Sequence, residues 1–254
     1  MLTIPKLIHQ TWKVEKVPRR LYAPRWIRSW KEHHPDWEYR LWTDEDNRNL
    51  VKEFYPWFLP IFDNYPEAIN RADAIRYFIL HKYGGLYIDL DFQCLRSIEP
   101  LLNDARLVFG KMLSNADDIN AIPNAFMASE KDHPFWPLVF EELKTRGQLK
   151  GLPADVAGSR MLHPLIMSLY KSSCEQSGLK ILEPESVFPI NWFRENIHRG
   201  FYVPRTTAAL RRKYPDAYAV TFWTHRWGPK LPWRPRLKNF IKTLASALRQ
   251  REIW

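Results

Sequence analysis

Residues 66–92 read PEAINRADAIRYFILHKYGGLYIDLDF. The first part, residues 67–83, predicts a helix because apolar residues recur at the three- and four-residue spacing of a buried helical face. The predicted buried stripe consists of Ala68, Ala72, Ile75 and Ile79. Gly84 and Gly85 then predict the end of the helix, since glycine readily adopts the left-handed conformation that a helix C-terminus requires.

Residues 86–92 predict a buried strand, in which successive side chains point to opposite faces. One face would hold Leu86, Ile88, Leu90 and Phe92, and the other Tyr87, Asp89 and Asp91. Carboxylates two residues apart at the end of such a strand suit one hard cation. Because charged groups among apolar neighbours are costly without a partner, the pattern predicts a Mn²⁺ or Mg²⁺ ion, with positions left for phosphate oxygens.

Asp73 and Arg76 are three residues apart, so they lie on neighbouring parts of one helix face. From the spacing alone, a structural ion pair is one interpretation of these two residues. An Asp-x-Asp pair is a weak signal by itself, and the chain has a second at residues 44–46. That pair follows Thr43 and predicts a helix N-terminus, where carboxylates are favourable.

The preceding part of the chain predicts a parallel β-α-β unit. Residues 4–12 and 37–42 have strand patterns, and residues 25–33 between them have a helical pattern that ends before Pro35. The signals are weaker after residue 100. Further strands are predicted at 106–111, 125–128, 180–182 and 218–223, and helices at 135–145 and 160–171. The expected fold class is α/β.

The formal net charge of +10 is concentrated near the C-terminus, where residues 226–254 hold eight Lys or Arg and one Glu. A protein that binds nucleic acid along a groove spreads its basic residues over the folded body, so no nucleic-acid partner is predicted. We predict two parts, a domain at 1–229 and a basic amphipathic helix at 230–254. This helix suits an anionic membrane surface, and an ordinary docked terminal helix remains equally open.

Cysteine content and hydropathy predict a cytoplasmic protein, or the cytoplasmic part of one, with peripheral attachment to the inner face of the membrane as an option. Cys94 and Cys174 are too few for a disulfide framework. No run approaches the roughly 18 apolar residues of a membrane-spanning helix. Residues 1–6 lack the pattern of a signal peptide.

Three segments resemble the DXD-containing sugar transferases, which include inositolphosphoceramide mannosyltransferases and bacterial capsule and lipopolysaccharide enzymes. They are IPKLIHQTW at 4–12, HPDWEYRLWTDED at 34–46 and RADAIRYFILHKYGGLYIDLDF at 71–92. The resemblance returns at YAVTFWTHRW, residues 218–227. It implies a GT-A-type mixed sheet flanked by helices, a UDP- or GDP-sugar donor, Mn²⁺ or Mg²⁺, and retention of anomeric configuration.

The resemblance also implies roles for individual residues of the donor site. Asp73 and Arg76 would contact the donor sugar as the catalytic pair. Tyr87 and Asp89 would contact sugar or ribose, and Trp12 would stack on the base. The alternative for Trp12 is a place in the core.

A second group of roles concerns the metal and the diphosphate. Asp91 would bind the metal directly, together with Asp89, and Trp227 would touch the diphosphate. Relatives have histidine where this chain has Thr221 and Phe222, so His225 is the nearest candidate for a late metal ligand.

Asn124 precedes an apolar strand and is a candidate for contact with donor or acceptor, with a turn as the alternative. The expected function is transfer of a sugar from a nucleoside diphosphate sugar to a hydroxyl of a lipid-linked glycan or of a lipopolysaccharide or capsule precursor. The alternatives are a protein-modifying glycosyltransferase and a non-enzymatic polyanion-binding module.

Overall fold

A computed structural model describes residues 2–19, 23–112, 121–147, 149, 151–190 and 206–224. The strands in these residues are β1 (Leu7–Thr11), β2 (Glu38–Trp42), β3 (Gly85–Ile88), β4 (Phe92–Cys94), β5 (Leu107–Gly110), β6 (Phe126–Ser129), β7 (Leu179–Leu182) and β8 (Ala219–Thr221). The helices are α1 (Pro24–His33), α2 (Asp44–Phe54), α3 (Leu59–Asn64), α4 (Ala68–Tyr83), α5 (Glu99–Leu102), α6 (Phe135–Arg146), α7 (Pro153–Val156), α8 (Ser159–Ser177), α9 (Pro184–Val187) and α10 (Thr207–Lys213), with a 3₁₀ turn at Pro56–Phe58.

The larger sheet of the described residues has the strand order β2-β1-β3-β6-β5-β7. β1 pairs in parallel with β2 and with β3, and β5 pairs in parallel with β7. β6 is antiparallel to both of its neighbours, β3 and β5. The predicted β-α-β unit and the predicted mixed α/β sheet are therefore confirmed.

Helices cover both faces of this sheet, and alternate strand residues point to the two sides. On β3, Tyr87 joins the core that the sheet forms with α2, α4, α6 and α8, whereas Leu86 and Ile88 join the core on the side of α1 and α9. Trp136 of α6 and Trp30 of α1 are fully buried in these two cores. Much of the tryptophan in the described residues therefore serves packing.

Helix α4 is buried on every side at its centre, which corrects the predicted amphipathic stripe. Every residue from 73 to 80 is buried, while Ala68 is exposed and Ala72 is only partly buried. The reason is that α4 packs on the sheet and is also covered by α2, α6 and α7. A helix surrounded in this way buries residues around its whole circumference, the polar Asp73 and Arg76 included.

The double glycine ends α4 and brings β3 against β1. Gly84 has φ +65° and Gly85 has φ +92°, both in the region that favours glycine. A Cβ on Gly85 would lie 2.4 Å from the backbone oxygen of Leu7. The predicted glycine stop is confirmed, and it also permits the close approach of two strands.

His9 of β1 links the same turn to β2. Its Nδ1 accepts a hydrogen bond from the Trp42 indole at 3.0 Å, so its Nε2 carries the proton and donates to the Gly84 carbonyl at 2.9 Å. Burial lowers the pKa of His9 from 6.5 to about 4. The neutral ring thus holds the ends of three elements together.

The strand predicted at 86–92 is interrupted, and this changes the geometry of the Asp-x-Asp pair. β3 ends at Ile88, residues 90–91 form a turn, and Phe92 begins β4. The cause is a change of partner, since β3 pairs with β1 and β6 whereas β4 pairs with β8 in a separate two-stranded sheet. Asp89 and Asp91 therefore lie in a connection between two sheets and not on one face of a strand.

The second Asp-x-Asp pair has the predicted capping role. The Thr43 hydroxyl accepts from the Asp46 backbone N–H at 3.1 Å, and the Asp46 carboxylate accepts from the Thr43 backbone N–H at 2.9 Å. This reciprocal capping box starts α2.

Three further expectations have different outcomes. None of the helices within the described ranges is long and apolar enough to cross a membrane. Cys94 is a buried free thiol. The boundary at 229/230 and the amphipathic helix at 230–254 lie outside the described residues and stay predictions.

Candidate active site

The candidate site lies at the carboxyl ends of β1 and β3, an edge of an α/β sheet where ligands commonly bind. Asp89 follows β3 directly, and the Gln10 amide of β1 donates to its backbone oxygen at 3.2 Å. Asp73 and Arg76 reach the same edge from α4. The structure therefore brings Gln10 within hydrogen-bonding distance of a residue 79 positions later in the sequence.

Arg76 is the centre of the site, with only 7% of its side chain exposed. Its Nη2 lies 3.0 Å from Asp73 Oδ1, and its Nη1 lies 3.3 Å from Asp89 Oδ1. It also donates from Nη1 to the Asn124 backbone oxygen at 2.9 Å and from Nε to the Ala72 oxygen at 3.0 Å. One guanidinium thus positions two carboxylates and the turn before β6.

The electrostatics of this cluster favour a cation. Burial raises the pKa of Asp89 to about 7, and the nearby charge of Arg76 lowers it only in part. Burial also raises the pKa of Asp73 despite the same guanidinium. Burial lowers the pKa of Arg76, but the carboxylates raise it more, so Arg76 stays charged. The nearby charges of Asp91 and Asp73 raise the pKa of Asp89 further. The carboxyl groups here outnumber the guanidinium, so an added cation would offset the excess negative charge.

Tyr87 connects Asp89 to β1. Its hydroxyl donates to Asp89 Oδ1 at 3.1 Å and lies 3.2 Å from the hydroxyl of Thr11. The guanidinium carbon of Arg76 lies 5.0 Å from the centre of the Tyr87 ring, which is a cation–π arrangement. Tyr87 is fully buried, and burial raises its pKa, so it stays a neutral donor.

Asn124 closes the other side of Asp73. Its side-chain amide donates to Asp73 Oδ1 and to the hydroxyl of Tyr77, both at 3.1 Å. It lies in the turn before β6, so it is part of a turn and also contacts the cluster. The sequence analysis missed Tyr77, although it follows Asp73 by four residues and so shares its helix face.

Asp91 is held by the other sheet. Its Oδ2 accepts from the Thr224 backbone N–H at 2.8 Å and from the Thr224 hydroxyl at 3.0 Å, and its Oδ1 accepts from the Thr221 hydroxyl at 3.3 Å. The two threonines were not predicted to touch this carboxylate. Thr221 belongs to β8, so only the pairing of β4 with β8 brings it here.

The donor set of this site fits a hard divalent cation. Asp89 and Asp91 supply carboxylate oxygens, and the hydroxyls of Thr221 and Thr224 lie beside Asp91. In the described part of the chain, no group of three or more His, Cys, Asp or Glu side chains is placed to hold a metal ion without further ligands. That composition matches Mg²⁺ or Mn²⁺ sites, which combine one or two carboxylates with substrate phosphates. His225, the predicted late ligand, lies outside the described residues.

The predicted base-stacking residue, Trp12, lies next to the site in a small apolar cluster. It is partly buried and packs against Trp26 and Leu90. Trp26 in turn stacks on Phe222, with ring centres 4.5 Å apart. Leu90 is the residue between Asp89 and Asp91. Because Trp12 packs against the cluster that contains Leu90, its position is compatible with stacking on a donor base. That role stays a prediction. Trp227 lies outside the described residues.

Comparison with known families identifies the region that carries most of this site. Residues 22–108 match the family described as a glycosyltransferase sugar-binding region containing the DXD motif. The match covers the segment that holds Asp73, Arg76, Asp89 and Asp91. The predicted resemblance is therefore confirmed, and the DXD motif is Asp89-Leu90-Asp91. Asn124 lies beyond the matched residues, so its contact with Asp73 comes from the three-dimensional structure.

Curated relatives of this DXD region include mannosyltransferases. Inositol phosphoceramide mannosyltransferase 2 of Schizosaccharomyces pombe is 42% identical over 150 residues, which cover 59% of this chain and 41% of that protein. Mannosyl phosphorylinositol ceramide synthase CSH1 of Saccharomyces cerevisiae is 36% identical over 192 residues, covering 71% of this chain and 48% of that protein. The chain spans less than half the length of these two relatives.

Solved structures support the fold. The ligand-free glycosyltransferase domain from the YGT toxin superposes with a TM-score of 0.52 at 8% identity, covering 82% of this chain and 88% of that domain. At this identity the similarity concerns the fold alone. The predicted mixed sheet flanked by helices is confirmed, and it shares the fold of this solved glycosyltransferase domain.

Proposed function

We propose that this chain transfers a mannosyl group from a nucleoside diphosphate sugar to a hydroxyl group of a glycolipid of the inositol phosphoceramide class. The observation that carries the proposal is the buried Arg76, which holds Asp73 and Asp89 at the edge of the sheet within the DXD region. The names of the relatives support mannose as the sugar and inositol phosphoceramide as the first acceptor to test.

In this proposal the cluster around Asp73 orients the donor sugar. Sugar hydroxyls are donors and acceptors at once, so a carboxylate next to a guanidinium and an amide offers complementary partners. Asp73 already accepts hydrogen bonds from Arg76 and Asn124. Such a fixed carboxylate suits positioning better than nucleophilic attack, so the proposed retaining transfer would proceed without an enzyme nucleophile.

Asp91 and Asp89 would hold Mn²⁺ or Mg²⁺ in the proposed reaction. The ion, when bound, supplies positive charge next to the departing diphosphate. The residues of the chain itself would fix the donor. Tyr87 and Arg76 contact Asp89, and Trp12, which packs against the apolar cluster that contains Leu90, would stack on the base.

Asp91→Asn is expected to lower donor turnover in the presence of Mn²⁺ by roughly 100-fold, since the carboxylate charge that binds the ion is lost. Release of the nucleoside diphosphate from GDP-mannose and UDP-mannose, with and without Mn²⁺, measures this. The matched control is Asp44→Asn, which changes an exposed carboxylate of the other Asp-x-Asp pair. Steeply salt-dependent binding to polyanions, with no turnover of any donor, would contradict the enzyme and favour a binding module.

We also propose that residues 230–254 attach the protein to the anionic, cytoplasmic face of a membrane. The support is their sequence, in which Leu237, Phe240, Ile241 and Leu244 share one helical side and basic residues occupy others. A chain ending at residue 229 is expected to lose cosedimentation with vesicles that contain anionic lipid, while donor hydrolysis is retained. Unchanged vesicle binding by the shortened chain would refute this attachment.

A further inference from the structure

The hydroxyl of Tyr77 connects two segments that both touch Asp73. It accepts a hydrogen bond from the Asn124 amide at 3.1 Å and donates one to the Ala157 backbone oxygen at 2.7 Å. Tyr77 is fully buried, and burial raises its pKa, so this hydroxyl keeps its proton. A neutral phenol therefore sits between the turn before β6 and the residues that lead into α8.

The directions of these hydrogen bonds follow from the chemistry of the groups. A backbone carbonyl only accepts, so the single proton of the Tyr77 hydroxyl goes to Ala157. The hydroxyl is then left to accept from Asn124, and the second amide proton of Asn124 goes to Asp73 Oδ1. Both amide protons of Asn124 are therefore donated within the protein, one to Tyr77 and one to Asp73. The amide oxygen of Asn124 consequently faces away from Asp73 and Tyr77.

The second segment borders the other oxygen of Asp73. Gly158 follows Ala157 and is the N-cap residue of α8. A Cβ built on Gly158 would lie 3.2 Å from Asp73 Oδ2 and 2.7 Å from the Cα of Ala154. The backbone at Gly158 therefore packs closely beside Asp73. Through Ala157, the Tyr77 hydroxyl fixes how near this backbone comes.

We propose that Tyr77 is a positioning residue for the donor sugar. This inference rests on the proposed function. Tyr77 sets the orientation of the Asn124 amide, so that the amide oxygen accepts a hydrogen bond from a hexosyl hydroxyl, and it fixes Ala157–Gly158 beside Asp73. The hydroxyl touches no reacting atom. Its effect on the reaction passes through Asn124 and the Gly158 backbone.

Tyr77→Phe is expected to lower kcat for donor turnover by roughly 10- to 100-fold and to change KM much less, because a displaced orienting group impairs the reacting geometry more than binding. In an Asn124→Ala background the same change is expected to have a much smaller effect on kcat. The matched control is Tyr55→Phe, which removes a hydroxyl that contacts His81 outside the site. It is expected to leave kcat unchanged.

Several results would overturn the inference. Equal losses of kcat in the wild-type and Asn124→Ala backgrounds would overturn the route through the Asn124 amide. A loss of kcat no larger than that of Tyr55→Phe would overturn the positioning role as a whole. If Tyr77→Phe does not fold, Gly158→Ala tests the same link from the other side, and unchanged kcat there overturns it. Absence of turnover in the wild-type protein with every donor would instead refute the proposed function, and this inference with it.

Discussion

Arg76→Met is expected to lower the free energy of unfolding by about 3–5 kcal/mol, because removal of one partner leaves buried charges without compensation. Both Asp73 and Asp89 would lose the same guanidinium, and the Asn124 carbonyl would lose a donor. Methionine keeps much of the buried aliphatic volume, so the cavity contribution is small. Urea unfolding at neutral pH measures the difference.

The effect of Arg76→Met should depend on pH with a definite sign. Burial raises the pKa of Asp89 above its unfolded value of 3.8 to about 7, and loss of Arg76 raises it further. A carboxyl group with a raised folded pKa stabilises the fold at low pH and loses that contribution as the pH rises through the folded pKa. The loss of unfolding free energy in Arg76→Met should therefore be smaller at about pH 4 than at about pH 8.

Arg48→Met is the matched control for this prediction. Arg48 makes a two-pronged pair with Asp63 at 2.9 and 2.8 Å, but both side chains are well exposed. An exposed pair of this kind contributes ~1 kcal/mol or less. Equal losses in the two variants, or a deficit of Arg76→Met that does not grow with pH, would contradict the buried-charge explanation.

Gly85→Ala is expected to destabilise the fold by at least ~3 kcal/mol, since two independent penalties add. The φ of +92° is one that a residue with a Cβ rarely adopts, and the added carbon would lie 2.4 Å from the Leu7 carbonyl oxygen. That carbonyl is backbone in β1, which is paired with β2 and cannot move alone. Thermal and urea unfolding provide the measurement.

Gly151→Ala is the corresponding control, because a Cβ there would meet no heavy atom within 4 Å and the residue has no positive φ. It is expected to change stability by ~0.5 kcal/mol or less. A soluble Gly85→Ala protein that unfolds at the wild-type midpoint would mean that β1 and β3 approach each other less closely than described.

The local parts of the fold were predictable because their signals lie within a few residues. The capping box at Thr43, the helix that ends at Tyr83 and the glycine stop each depend on near neighbours in sequence. The parallel pairing of β1 and β2 followed from the strand-helix-strand order. For these elements, local preference and tertiary packing agree.

The missed features depend on distant partners. The alternation at 86–92 continues through Phe92, so periodicity alone does not reveal that the strand changes sheets at Asp89. That change requires β8, more than 120 residues later in the chain. The exposure of Ala68 likewise depends on where neighbouring helices end.

The candidate site likewise contains residues that local sequence predicted and contacts that depend on distant partners. Asp73, Arg76, Tyr87 and the aspartate pair were found from one continuous stretch, and the structure places them together. Asn124 was a candidate for contact with donor or acceptor, or for a turn. Its hydrogen bond to Asp73 joins residues 51 positions apart and was not predictable from local sequence. Tyr77 was not predicted, because both partners of its hydroxyl, Asn124 and Ala157, are distant in sequence.

The turn between the two sheets makes Asp89 and Asp91 unequal partners. The backbone of Asp89 is hydrogen-bonded to Gln10 of the large sheet, and its carboxylate forms an ion pair with Arg76 of α4. Asp91 instead accepts hydrogen bonds from Thr221 of the small sheet and from Thr224, which follows it closely. Any ligand that binds both carboxylates would link the two sheets. Substitutions near β8 would then alter ligand affinity without changing the sugar-facing residues, and ligand binding would in turn stabilise the pairing of β4 with β8.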